Sequence, residues 1–421
     1  MQFSNFAERF TRDSGIVRLM EDLGEAMTGG DKFLMLGGGN PAHIPAVQAY
    51  FQQRLQWLLD HPQEFAETLG NYDAPKGEKR FIEAVAGFFR RHYRWDIGPE
   101  NIVLTAGSQS GFFMLFNAFA GLYPDGSSKR ILFPMVPEYI GYADVGLADD
   151  MFTAVKPDIE TSSDRTFKYH VAFEHLPVDG NIGAICVSRP TNPTGNVLTD
   201  AEIHRLHELA RQLRIPFIID NAYGMPFPNI LFTRATLPRS EQTILCFSLS
   251  KFGLPAVRTG IILAPAAVAA AIARMNGVIN LALGSIGPAL ALEMFSTGKV
   301  LDLSNERIKP YYQAKAQHAI ALLHQELAGV DYFIHKTEGA FFLWLWFPGL
   351  PVTSQTLYER LKHRGVLILP GHYFFPGLQE DWRHMHECIR ISYAMDEATV
   401  AAGIRIIAEE VRRAYQSTAK G

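Results

Sequence analysis

Residues 183–195 read Gly-Ala-Ile-Cys-Val-Ser-Arg-Pro-Thr-Asn-Pro-Thr-Gly. The first six, Gly183–Ser188, form an apolar run with little polar alternation. A strand of that texture is buried on both faces, which is the signature of a parallel sheet covered by helices. Four residues past the loop, Thr199 and Glu202 stand in a capping-box pattern. Ile203, Leu206, Ala210 and Leu213 then repeat at helical spacing, and Ile215–Ile219 is the next apolar run. Strand, loop, helix and strand in that order make a crossover unit. Working outward, Ile102–Thr105, Arg130–Phe133, Thr243–Phe247 and Gly260–Leu263 have the same apolar texture. The pattern predicts an α/β fold with a mostly parallel central sheet and helices on both faces.

After Leu303 the texture changes. Residues 305–328 read as a long amphipathic helix, Gly339–Phe347 as an apolar and aromatic strand, and Val366–Leu369 and Ile389–Ser392 as further strands before a closing helix near 396–415. The expected division is a large domain over residues 51–304 and a smaller α+β domain formed by 1–50 and 305–421.

Composition narrows the function classes. Apolar residues make up 48% and charged residues 19% of the 421, which excludes a disordered, collagenous or coiled-coil chain. The net charge of −4 comes without blocks of like charge, so no nucleic-acid footprint is present. Cys186, Cys246 and Cys388 are widely spaced, and two of them lie in apolar runs. They read as buried thiols in a reducing compartment. Glu8, Arg9 and Arg12 interrupt the first apolar residues where a secretory signal needs an unbroken apolar stretch. Gly260–Ala273 is too short to span a bilayer and contains Pro265. A cytoplasmic protein with no membrane partner is expected. His204 and His207 share a helix without a carboxylate or thiol to complete a metal set, and His384 and His386 read the same way, as solvated helix faces. No metal is expected.

In such sheets ligands collect where strands end and helices begin. Thr105-Ala-Gly-Ser-Gln-Ser-Gly111 places Ser108 and Gln109 at a helix start, a common turn that also suits an anion. Asn192 sits between two prolines after Ser188. Asp220-Asn-Ala-Tyr223 ends a buried strand with a carboxylate that needs a partner or serves as a helix cap. Ser248-Leu-Ser-Lys-Phe-Gly253 puts Ser248, Ser250 and Lys251 at the mouth of another, with Arg258 following. Phe133-Pro-Met-Val-Pro-Glu-Tyr139 adds an aromatic ring, Tyr139, between prolines and the next helix. An internal lysine, one carboxylate, an anion cradle and a stacking ring together match the needs of pyridoxal phosphate.

These segments resemble the class I/II aminotransferases of PLP fold type I over nearly the whole chain. Asn192-Pro-Thr-Gly, Asp220-Asn-Ala-Tyr223 and Ser-Leu-Ser-Lys251 occur in the family's order. Asn71-Tyr72 with Lys76-Gly77, and Arg390-Ile-Ser, resemble further family segments. The resemblance implies that Lys251 is the Schiff-base lysine and proton shuttle, and that Asp220 pairs with the pyridine nitrogen. It implies that Asn192 and Tyr223 meet the phenolic oxygen, that Ser108, Gln109, Ser248, Ser250 and Arg258 hold the phosphate, and that Tyr139 stacks on the ring. Arg390 takes the substrate α-carboxylate, with Gly39 and Asn192 beside it. The resemblance also implies that Tyr72 reaches the phosphate of a neighbouring subunit, and hence a homodimer. Arg258 lies one residue nearer the lysine than is usual in the family. Gly37-Gly-Gly-Asn-Pro41 and Pro370-Gly-His-Tyr-Phe-Phe-Pro376 resemble the branch of the family that implies L-valine and pyruvate as the leading pair, and the uncharged run Gly277–Leu292 favours a neutral apolar donor.

The alternatives are an alanine or aromatic aminotransferase and a fold type I lyase. A lyase does not require a 2-oxo acid for turnover. A non-enzymatic pyridoxal phosphate-binding regulator is expected to carry a fused DNA-binding domain, and the family pattern begins by about residue 35.

Overall fold

The computed structural model describes residues 2–12, 15, 17, 20, 21, 24 and 33–418, with side chains to 416. The larger sheet runs in the order Ile102–Thr105, Gly260–Leu263, Thr243–Ser248, Phe217–Asp220, Ile182–Ser188, Ser128–Phe133 and Gly121–Leu122, with Phe152–Ala154 also paired to Ser128–Phe133. The strands at 128–133, 182–188, 217–220 and 243–248 are mutually parallel, as their unalternating burial requires. Helix Asp200–Leu213 forms the crossover between two of them. Its Thr199 hydroxyl caps the Glu202 N–H, and the Glu202 carboxylate returns to the Thr199 N–H, so the predicted capping box is present.

Within the mostly parallel sheet, Gly260–Leu263 is reversed. It runs antiparallel to both neighbours, with Ser248 opposite Gly260 and Gly260 opposite Thr105. The physical reason is reach. Residues 249–259 are too few to carry the chain back under the sheet, since a parallel return needs a dozen residues or more. The reversal leaves Arg258 at the same sheet edge as Ser248 and Lys251.

A second sheet runs Leu369–Pro370, Cys388–Ser392, Phe342–Trp346, Phe333–His335, Thr166–His170 and Asp158–Thr161. The last two strands form a hairpin from inside the 51–304 segment, joined to the later chain through Ile334 opposite Thr166. The division at residue 304 therefore does not coincide with the division between the sheets. The long helix observed is Lys309–Glu326, entered through a π-helical turn, Leu303–Ile308, and the closing helix is Glu397–Thr418. All three cysteines are buried and free. Among the described residues no helix is long and apolar enough to cross a membrane.

His384 corrects the sequence reading. It is buried, its Nε2 meets the Tyr169 hydroxyl and lies 3.5 Å from Cys388 Sγ, and Tyr169 also takes the Trp344 Nε1–H at 3.0 Å. The short helix Arg383–Glu387 turns this residue inward against the aromatic face of the second sheet, where burial holds the imidazole down at about 3.

Candidate active site

The carboxyl ends of the parallel strands open onto a cavity of about 940 Å³. Its wall contains Gly39, Ser108, Gln109, Tyr139, Asn192, Asp220, Tyr223, Ser248, Ser250, Lys251, Arg258 and Arg390. Residues dispersed over some 350 positions in the chain thus meet in one place. Tyr72 does not join them. It is 85% exposed and takes no part in the cavity wall of its own chain.

Lys251 lies in a single helical turn, Ser250–Phe252, just past the strand Thr243–Ser248. Its Nζ donates to the Gly39 carbonyl at 2.7 Å and stands 5.5 Å from the Tyr223 ring centroid. Burial, with Arg390 and Arg258 nearby, pulls the amine down to about 8, against the opposing pull of Asp220. A lysine so placed is in part unprotonated near neutrality, as a nucleophile and proton carrier must be.

Asp220 ends its strand with its carboxylate buried. Oδ1 accepts the Ala222 N–H at 3.0 Å and Oδ2 accepts the Tyr142 hydroxyl at 2.6 Å. Burial pushes this carboxyl group up, while Tyr142, Ala222 and Lys251 draw it back down. Tyr142 is fixed by ring packing against Phe112, Phe116 and Phe133 at centroid distances of 4.9, 5.3 and 5.6 Å. The sequence did not show this tyrosine, because its role depends on the adjacency of two segments 78 residues apart. Tyr142→Phe is expected to keep the fold and cofactor binding while lowering turnover roughly tenfold, since hydrogen bonds to charged groups are worth about 1.5–3 kcal/mol. Steady-state rates beside a cofactor titration test this, and unchanged turnover would reduce Tyr142 to packing.

Asn192 sits in a loop held from both sheets. Thr191 N–H donates to Asn196 O at 2.8 Å, and the Thr191 hydroxyl to Ser188 O at 2.9 Å. Lys168, from the second sheet, donates to Asn196 Oδ1 at 3.0 Å and Val197 O at 3.1 Å and pairs with Glu338. Gly195 has φ +70°, and a Cβ there would fall 2.5 Å from the Gly339 carbonyl, so the loop packs on the second sheet only with glycine.

Arg390 is buried, with Nη1 donating to Asn192 Oδ1 at 2.7 Å and Nη2 to the Gly37 carbonyl at 2.6 Å. Its guanidinium carbon stands 4.0 Å from the Phe342 ring centroid and 5.3 Å from that of Phe374. Burial lowers it to about 10, still cationic at neutral pH. Its partners are neutral acceptors, and Nε has none among the described residues. A buried guanidinium with no carboxylate of its own is suited to a bidentate external carboxylate.

The anion end is built by the helix Ser108–Phe119, whose first N–H groups have no intrahelical acceptor. Gly107 has φ +83°, and a Cβ on it would collide with Arg258 Nη2. The guanidinium therefore lies directly against the backbone that begins the helix. Arg258 Nη1 also donates to Ser250 Oγ at 3.3 Å. Buried Ser110 Oγ and Gln109 Oε1 have no partner within the described residues. A phosphate cradle, an amine, a buried carboxylate and the Tyr139 ring in one cavity fit pyridoxal phosphate. Among the described residues no cluster suited to a metal ion is present. Beyond the residues singled out from sequence, the wall includes Tyr311, Met395 and Asp396, and Glu138 lies buried behind it.

The family model for aminotransferase class I and II matches residues 48–407. The valine–pyruvate aminotransferase of Escherichia coli (strain K12) is 51% identical over 416 residues, which is 99% of each chain. The crystal structure of valine–pyruvate aminotransferase from Salmonella typhimurium LT2 superposes with a TM-score of 0.87 at 51% identity, covering 96% of this chain and 100% of that one. At 21% identity the fold is shared with LysN, the α-aminoadipate aminotransferase of Thermus thermophilus solved with N-(5'-phosphopyridoxyl)-L-leucine, at a TM-score of 0.79 over 98% of both chains. The mixed, mostly parallel sheet and the strand-end lysine are those of PLP fold type I. The chain belongs to the aminotransferase class I and II family.

Proposed function

We propose that this enzyme transfers an amino group between L-valine and pyruvate, giving 3-methyl-2-oxobutanoate and L-alanine, with pyridoxal phosphate bound at Lys251. The observation that carries the reading is the meeting of Lys251, Asp220 and Arg390 in one cavity. The 51% identity over the whole length to a valine–pyruvate aminotransferase supports the choice of substrates. Bound pyridoxal phosphate supplies the electron sink. Asp220 would keep the proton on the pyridine nitrogen, and Tyr139 would cover the ring. The Asn192 amide and the Tyr223 hydroxyl would donate to the phenolic oxygen, while Ser108, Gln109, Ser248, Ser250 and Arg258 would hold the phosphate. Arg390 grips the α-carboxylate and thereby orients the substrate Cα–H. The Lys251 amine would hold the cofactor and carry the proton taken from the substrate Cα. A homodimer is proposed, in which exposed Tyr72 approaches the phosphate of the partner and the exposed apolar residues Val278, Ile279 and Leu281 pack between copies.

Specificity follows from charge. Among the described residues the cavity's lysine and arginine side chains are Lys251, Arg258 and Arg390, each with a role above, and Asp396 adds a negative charge. Gly277–Leu292, where a second arginine serves dicarboxylic substrates in aspartate-type relatives, contains no charged residue. A side-chain carboxylate would be desolvated without a partner. One methylene is worth only about 1–3 kcal/mol, so valine, alanine and 2-aminobutyrate are expected to react together. Single-turnover conversion of the bound cofactor to its amino form, measured for each amino acid, is the test. A higher specificity constant for aspartate or glutamate than for valine and alanine overturns the assignment. Turnover without any 2-oxo acid would favour a lyase.

A further inference from the structure

Glu138 belongs to the Pro-Glu-Tyr stretch that places Tyr139, yet no role above uses its carboxyl group. It is 1% exposed. Oε1 accepts the Ser188 N–H at 2.8 Å, and Oε2 meets the Ser188 hydroxyl. Its own N–H donates to the Phe374 carbonyl at 2.8 Å, the residue whose ring flanks Arg390. Ser188 ends the strand that leads into the Asn192 loop, and it sits opposite Asp220 in the sheet register. One carboxyl group therefore ties together the segments carrying Tyr139, Asn192 and Asp220. Among the described residues no lysine, arginine or histidine forms an ion pair with it.

We propose that Glu138 is a positioning residue that stays protonated at neutral pH, so that the buried pair Glu138 and Asp220 carries a single negative charge, located on Asp220. Two buried carboxyl groups in one electrostatic neighbourhood do not both ionise readily, and the environment decides which keeps the proton. Asp220 has the Tyr142 hydroxyl, the Ala222 N–H and the Lys251 cation to stabilise its charge. Glu138 has the Ser188 donors and the Tyr139 N–H, but it faces the Asp220 charge and no cation. The other titratable groups coupled to it are Tyr142 and Cys186, both neutral. Burial, opposed by Ser188 and reinforced by Asp220, pushes Glu138 up to about 8. In the acid form its O–H and the Ser188 hydroxyl share one contact, while its carbonyl oxygen keeps the Ser188 N–H. The inference rests on Asp220 being the carboxylate that faces the cofactor.

The test is infrared spectroscopy of the full chain, with and without pyridoxal phosphate. Near pH 7 a protonated-carboxyl band should be present, fade as pH rises through about 8, fade at lower pH in Asp220→Asn, where the facing charge is gone, and vanish in Glu138→Gln. The glutamine offers the same two hydrogen bonds as the neutral acid, so cofactor affinity should stay within about threefold. Glu138→Ala, which leaves the buried Ser188 groups unpaired, should weaken cofactor binding at least about tenfold. The inference is overturned by absence of the band in the wild type, by its persistence in Glu138→Gln, or by equal cofactor affinities for the alanine and glutamine variants. The band without cofactor reports on Glu138 whether or not Asp220 meets the pyridine, so failure of that reading would be seen separately.

Discussion

Lys251→Ala should abolish the pH-dependent visible absorption of the lysine-bound cofactor and lower turnover by at least about 10²–10⁴-fold, the range contributed by a positioned acid–base group. The figure is a minimum, because the variant also loses the covalent anchor. In the wild type, the amine is held down at about 8 by burial and by the Arg390 and Arg258 charges. Its reactive form is gained as pH rises through that value. Cofactor capture by the cofactor-free protein should therefore accelerate from about pH 7 to 9 and level off above. Borohydride reduction followed by peptide mapping identifies the modified lysine. A modified residue other than Lys251, or capture that slows over that pH interval, contradicts the assignment.

Asp220→Asn should still bind the cofactor, since the phosphate cradle and Asn192 are untouched, but it should react slowly. An opposite charge within a few ångströms shifts a pKa by about 1–3 units, so losing it removes about ten- to a thousandfold of the bias toward the protonated pyridine. The asparagine keeps one oxygen to accept the Ala222 N–H, and its amide N–H can donate to the Tyr142 oxygen in place of the bond it accepted, so the shape is kept and the charge is lost. An N-methylated cofactor analogue carries a fixed positive charge and should restore part of the rate. Near-normal turnover with the natural cofactor, or no gain with the analogue, would remove Asp220 from its role.

Much of this site was readable from sequence for a physical reason. Strands buried on both faces are apolar throughout, so a polar residue at their ends stands out, as Asn192, Asp220 and Lys251 do. Tyr142 and Glu138 were not readable, because their meaning arises only when the 133–142 segment is set beside Ser188 and Asp220. The hairpin at 158–170 is hidden in the sequence for a similar reason. Its outer strand, Asp158–Thr161, is largely exposed and polar, and the pairing of Thr166–His170 with Phe333–His335 spans more than 160 positions. The reversal of Gly260–Leu263 left no trace in composition, because an apolar strand looks the same in either direction. The solvated reading of His384 failed because five residues are too few to show a helical face.

That reversal also has a mechanical meaning. Ser248, Lys251 and Arg258 lie on one short hairpin whose two arms are bonded along their length. The backbone positions that carry the amine and Arg258 are therefore tied to each other by that ladder, within one sheet. Arg390 rides on the other sheet, reaching this frame through the side chain of Asn192. The segment Gly37–Gly39 also joins the two, accepting from Arg390 at Gly37 and from Lys251 at Gly39. The carboxylate clamp thus belongs to one sheet and the lysine with Arg258 to the other, so the substrate bridges two separately built frames.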